Sequence, residues 1–196
     1  MELLIKGNVK MGPRVFLYNL PPKKTCTPTH WCLKGRNGKP ACYALRNNFN
    51  LQSVIKAAQA RLEFSKGPEF VGSMVQAIQR KKPEFFRFHS SGDFYSEEYA
   101  RKVIQIAQQC PETLFRTTTR RRDLTNVLQE LNSLPNFIVR ESLDSERSEP
   151  EMGLPFAALA SLKIVNPDTD YHCLDDCVKC NYSCWKEDFN MYFNEF

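Results

Sequence analysis

The chain has no run of about 18 apolar residues, which excludes a helical membrane span. Its opening, MELLIKGNVKMGP, lacks the apolar core of a signal peptide, so export is not expected and the cytoplasm is the expected compartment. There is no Walker loop, no dinucleotide-binding glycine fingerprint and no Ser-His-Asp grouping with a recognisable local motif. The stretch HSSGD, residues 89–93, is not a nucleophile elbow, because the flanking glycine pattern is missing. Charge of one sign is scarce as well: 27 Lys and Arg against 22 Asp and Glu leave +5, compatible with an anionic partner without requiring one. Hydrophobic residues at 42% and charged residues at 25% exclude a disordered chain. The 196 residues are enough to bury roughly 70% of the unfolded surface.

What is present in excess is cysteine. Eight cysteines without an export signal point to metal or redox chemistry rather than to a disulfide framework. Cys26, Cys32 and Cys42 form one group, with five and nine residues between them. Cys173, Cys177, Cys180 and Cys184 form a second, separated by three, two and three. Cys110, in QIAQQCP, reads as a small buried hydrophobe. A single zinc usually takes two short pairs separated by a longer loop, whereas four thiolates within twelve residues are like the tightly wound ferredoxin run. Iron–sulfur is therefore expected at the second group, with zinc the alternative and a disulfide pair the blandest reading. In ferredoxins the last cysteine of such a run can serve another cluster, which sets Cys184 apart. Three ligands at the first group would leave a coordination position open, where chemistry happens. His30 is the candidate that would close that position into a structural site, and His172 is a weaker candidate ligand at the second.

Along the chain, strand patterns alternate with helical ones. RVFLYNL, residues 14–20, reads as a strand stopped by Pro21 and Pro22, and the first cysteine loop follows with turn signals at 34–40. Helices are expected over 51–62, capped by Asn50, and over 69–80. A strand at 84–94 leads to a helix begun by Ser96, Glu97 and Glu98, where the peptide dipole favours negative charge. A strand at 113–121 leads to a helix capped by Asp123, and a further strand spans 136–144. A short helix over 155–162 and a last strand over 162–167 complete the pattern. Alternation of this kind predicts an α/β fold, an incomplete (β/α) barrel of five or six mainly parallel strands, since a full barrel needs about 250 residues. The expected division is a partial barrel over 1–167 and a cysteine-rich metal-binding tail over 168–196.

In parallel sheets functional groups collect at the carboxyl ends of the strands. The loops there would hold Cys26 and Cys32, then Ser90, Ser91, Gly92 and Asp93, then 118–122, then Arg140, Glu141 and Ser142. Gly92 would let backbone approach a ligand, and Asp93 could accept from an amine or ribose hydroxyls; a serine-rich turn starting the next helix is the plainer reading. RTTTRRR, residues 116–122, offers four arginines for phosphate or carboxylate, or else a solvated strand end. Glu141, grouped with residues 90–93 as a candidate cofactor contact, would be paired if buried.

Three stretches together resemble the phage-encoded gene product 88 family: the opening cysteines ending in CYA, the block RFHSSGDFYSEEY, and the cysteine-rich end closing in CW. The spacing between Cys32 and Cys42 is longer than that family leads one to expect. A phage origin would place the protein in the host cytoplasm. A wider similarity is to radical S-adenosylmethionine enzymes, which combine a partial barrel with a 4Fe–4S cluster on three cysteines after the first strand. Cys26, Cys32 and Cys42 occupy the corresponding loop, and Ser91, Gly92 and Asp93 lie where that superfamily contacts the cofactor's amino group. The usual three-then-two spacing is absent there and occurs instead at Cys173, Cys177 and Cys180. What the resemblance implies is an iron–sulfur enzyme with a reactive 4Fe–4S cluster on the first group and an auxiliary cluster on the second. Either S-adenosylmethionine would be the cofactor or the open iron would act on another substrate; the basic loops and the phage connection point to a nucleotide or nucleic acid as substrate, and redox activity would require an electron donor. The rival expectations are a zinc-stabilised nucleic-acid-binding protein without catalysis and an iron–sulfur electron-transfer module.

Overall fold

A computed structural model describes residues 2–35 and 38–194, so the part of the predicted turn at 36–37 lies outside the described residues. The strands are β1 (Ile5–Lys6), β2 (Val15–Tyr18), β3 (Phe85–Phe88), β4 (Leu114–Thr119), β5 (Phe137–Ser142), β6 (Phe156–Leu159), β7 (Tyr171–His172) and β8 (Met191–Phe193). The helices are α1 (His30–Lys34), α2 (Gln52–Lys66), α3 (Phe70–Lys81), α4 (Glu97–Gln109), α5 (Thr125–Asn132) and α6 (Ser183–Lys186). All eight strands join one sheet in the order β1-β2-β3-β4-β5-β6-β8-β7, parallel throughout except for β1. The sheet is open and two or three strands wider than expected, because β1, β7 and β8 are too short to carry a periodic signal.

From β2 to β6 each strand is laid down beside its predecessor, so the connecting helices fall on one face. Strand alternation then sorts the side chains. Tyr18, Phe86, Phe88, Phe115, Phe137 and Val139 meet α2–α5 in the main core. Val15, Leu17, Phe85 and Ala157 point the other way and are covered by Tyr182, Cys184 and Trp185. The segment after residue 167 therefore supplies two strands to the common sheet and the covering of its second face.

Several boundaries differ from expectation. The predicted helix over 155–162 is strand β6 followed by turns: FAAL is buried on both faces, and such a run has no alternation to separate it from a buried helix. Residues 162–167 form turns, with Leu162 N–H donating to Leu159 O and Val165 N–H to Leu162 O. Asn50 does not cap α2; its side-chain amide donates back to Leu45 O at 3.0 Å. Asp123 lies in a single 3₁₀ turn and pairs with Arg121, and α5 begins after it. Ser96 caps α4 as expected, accepting from Tyr99 N–H. Cys110 is buried in the helix-face core, where it fills space.

Candidate functional site

The site is assembled at the carboxyl ends of β2 to β5. Asn19, just past β2, accepts the N–H groups of Ser90 (2.8 Å) and Ser91 (3.3 Å) on its side-chain oxygen. Leu20 N–H donates to Ser91 O, and Ser91 Oγ donates to Leu20 O, both at 3.0 Å. Gly92 has φ +81°, and a Cβ there would lie 2.6 Å from Leu20 Cβ and 2.8 Å from both Leu20 O and Thr25 Oγ1. Glycine is required here by conformation and by space, and the backbone that approaches it is the protein's own. Asp93 completes the joint. Its N–H donates to Thr25 Oγ1, while its carboxylate accepts from Thr119 Oγ1 (2.7 Å), Phe94 N–H (2.8 Å) and Arg120 N–H (3.0 Å). Burial pushes the Asp93 carboxyl upward against the pull of these donors. Ser90, Ser91, Gly92 and Asp93 thus all lie at the expected strand end, where Ser91 and Asp93 latch the cysteine loop onto the sheet. Ser90 Oγ is buried without a protein partner.

That latch fixes Thr25 and with it the start of the cysteine loop. Thr29 caps α1 by accepting Cys32 N–H (3.2 Å) and donates its own hydroxyl to Asp144 Oδ2 (2.8 Å). The Cys32 thiol also points at Asp144 Oδ2, 3.9 Å away. Glu146 accepts the N–H groups of His30 and Trp31, and the His30 side chain is exposed. Cys42 N–H donates to Cys32 O at 3.2 Å, which closes the nine-residue stretch between them. Burial pushes the Cys26 thiol up to about 12, with the charges of Asp93 and Cys42 adding and that of Arg120 opposing. Burial likewise raises Cys42, with the charge of Cys32 adding and that of Arg120 again opposing. Arg120 thus acts on both Cys26 and Cys42, and it pairs with the fully buried Asp144 at 3.2 Å, the carboxylate that the Cys32 thiol faces. Asp144 was not singled out from the sequence; its only signal is its place just past the end of β5.

Of the four arginines that looked available to an anion, Arg120, Arg121 and Arg122 are paired with carboxylates of the chain. Arg121 pairs with Asp123 and donates to Phe94 O. Arg122 pairs with Glu141 (2.7 Å) and Glu151. Glu141, fully buried, uses its other oxygen to accept the N–H groups of Glu151 (2.8 Å) and Met152 (2.9 Å). It holds the β5–β6 connection, and both its oxygens are occupied.

The second cysteine group lies against the opposite face of the sheet. Cys173, Cys177, Cys180 and Cys184, together with Arg87 and Arg116, line a cavity of about 120 Å³. Cys173 N–H donates to Tyr192 O in β8, and Cys177 N–H to Lys10 O, both near 2.9 Å. Tyr182 stacks on Phe85 with centroids 4.3 Å apart, and Trp185 Nε1–H donates to Phe86 O at 3.2 Å. His172 stacks on Tyr192 in the neighbouring strand. Seven thiols in two groups, three and four, suit a thiolate metal centre chemically. Among the described residues, no three His, Cys, Asp or Glu side chains converge on a common point as the ligands of a single ion would.

No helix among the described residues is long and apolar enough to cross a membrane. No curated protein and no solved structure matches the chain. The model of one family, Gene product 88, matches residues 3–172, which takes in β1 to β7, the cysteine loop and the latch, and stops one residue before Cys173. The chain belongs to the phage gene product 88 family.

Proposed function

We propose that the protein is an iron–sulfur enzyme whose reactive 4Fe–4S cluster is held by Cys26, Cys32 and Cys42, with an auxiliary cluster on Cys173, Cys177, Cys180 and Cys184. The observation that carries this reading is that the loop bearing Cys26, Cys32 and Cys42 is fastened at the carboxyl ends of the parallel strands, by Asp93 through Thr25 and by Asp144 through Thr29, where ligands of such sheets bind. The neighbouring carboxylates are already engaged, Asp93 by three donors and Asp144 by Thr29 and Arg120. Three thiolates without a fourth protein ligand would leave one iron open, and an open coordination position is where a metal centre supplies chemistry.

The chain's own residues position this site. The Ser91–Asp93 latch fixes Cys26 through Thr25, Thr29 fixes Cys32, and the Cys42–Cys32 backbone bond fixes Cys42. Ser90 Oγ, buried and unpartnered, is the group left to meet a bound molecule. An amino acid-like ligand with an amine and a carboxylate, S-adenosylmethionine foremost, fits an open iron beside such a group. A nucleotide or nucleic-acid substrate has less behind it, because Arg120, Arg121 and Arg122 are engaged by Asp144, Asp123 and Glu141.

The test is iron, acid-labile sulfide and zinc content after anaerobic purification. About eight irons per chain, as two cubane clusters require, support the proposal. Cys26→Ala should then lose the first cluster and keep the second. A change in the electron paramagnetic resonance of the reduced protein on adding S-adenosylmethionine would identify the open iron's ligand. Zinc without sulfide overturns the iron–sulfur assignment and leaves the binding-protein reading.

A further inference from the structure

The sheet face opposite the helices carries charge in an unusual place. Arg116 in β4 and Arg140 in β5 are both buried, Arg140 completely. Neither forms an ion pair with a carboxylate among the described residues. Arg140 donates to three carbonyls of the tail, those of Cys184 (2.9 Å), Glu187 (2.7 Å) and Phe189 (2.9 Å). Arg116 lies 4.8 Å from the Trp185 ring and directs one nitrogen at the Cys184 sulfur, while its Nε is buried without any partner. Arg87, beside it on the same face in register, also has a buried Nε without a partner. The carboxylates at the cavity are engaged at its rim: Asp175 pairs with Lys10, and Asp176 accepts the N–H groups of Val178 and Lys179.

A buried guanidinium without a carboxylate is costly unless another anion faces it. We propose that Arg116 is the counter-cation of a metal centre formed by Cys173, Cys177, Cys180 and Cys184, and that it tunes how tightly this centre holds its metal. Four thiolates around one divalent ion, or around an iron–sulfur cube, leave net negative charge, and the cavity walls offer Arg116 and Arg87 to meet it. A space of about 120 Å³ is about four times the share of one water in the liquid, more than a lone ion needs. The inference rests on a metal–thiolate tail and not on catalysis at the other cysteines.

The experiment uses the full chain with Cys26, Cys32 and Cys42 changed to Ser, so that only the tail's sulfurs compete for metal. Cobalt(II) is titrated with zinc and a chromophoric chelator as competitors, following thiolate-to-cobalt absorption, and circular dichroism checks the fold. Arg116→Gln should weaken cobalt and zinc binding about tenfold or more, the usual size for loss of an outer partner of a metal ligand. Arg116→Lys, which keeps the charge, should recover most of that loss. Unchanged affinity in folded R116Q, or a folded chain whose tail takes up no metal, overturns the inference. If R116Q does not fold, R116K decides alone: a tenfold loss with the charge retained overturns it, and near-native affinity supports it. In the unaltered chain, a tail without metal beside iron at the other site would leave the reactive cluster of the proposed function standing without its auxiliary one, and the converse result would leave only this inference.

Discussion

At the scale of single residues, chemistry at the sheet's mouth depends on groups that contact no ligand. Gly92→Ala forces a methyl-bearing residue into φ +81° against Leu20 and Thr25, so a loss of about 1–3 kcal/mol from the backbone alone is expected in urea unfolding. The loop carrying Cys26 should loosen with it, seen as faster alkylation of that thiol. Because burial raises Cys26 and Cys42, both are protonated at neutral pH, and the metal centre proposed there would have to displace those protons. Reconstitution should therefore speed up as pH rises from 7 to 9, with proton release measurable in weakly buffered solution. His89 works in the opposite sense. Burial, aided by the charge of Arg87, pushes it from 6.5 down to about 3, and it sits neutral between Tyr99 and Thr117. Between those values the unfolded chain takes up a proton that the folded chain refuses. Stability from this group is complete above about pH 6.5 and falls as pH drops toward 3, by up to about 1.4 kcal/mol per pH unit. His89→Asn, which tolerates the left-handed backbone at this position, should flatten that slope when urea midpoints at pH 7 and pH 4.5 are compared.

At the scale of elements, a strong local signal was readable wherever amphipathic alternation met a cap. Helix α4 is the clearest case: Glu97 and Glu98 in its first turn, Ser96 as cap, and Tyr99, Val103 and Ile106 buried on one side. Ser96→Ala should cost about 1 kcal/mol, or roughly 2–4 °C in melting temperature for a chain of this length. Strands β2 to β5 were readable for the same reason, since each ends in a polar turn. Strand β6 was not, because Phe156, Ala157, Ala158 and Leu159 are all buried and small alanines favour helix on propensity alone. Within the site, the cysteines and the 90–93 block announced themselves by residue type. Asp144 did not, and Arg116 and Arg140 stood out only as members of strand-end stretches, because their importance lies in what is packed opposite them, 49 to 115 positions away in sequence.

At the scale of the whole molecule, the tail is part of the sheet and not an appendage. Arg140 remains charged at neutral pH although burial and the nearby charge of Arg116 lower it to about 10, and it alone satisfies three tail carbonyls. Arg140→Met would leave the buried Cys184 carbonyl unpaired, at about 1–3 kcal/mol, and release the part-buried carbonyls of Glu187 and Phe189. Limited proteolysis should then cut within 173–190 while the helical circular dichroism of α2 to α5 persists. The last strand has a consequence for how the chain is built. Because β8 pairs with both β6 and β7, β7 has no neighbour in the sheet until residues 191–193 have been synthesised. All four tail cysteines lie in the connection between β7 and β8, so insertion of β8 between β6 and β7 is the event that cinches them. Amide exchange at Ala160 and Cys173, whose N–H groups donate to Phe193 and Tyr192, is thus a clock for that closure.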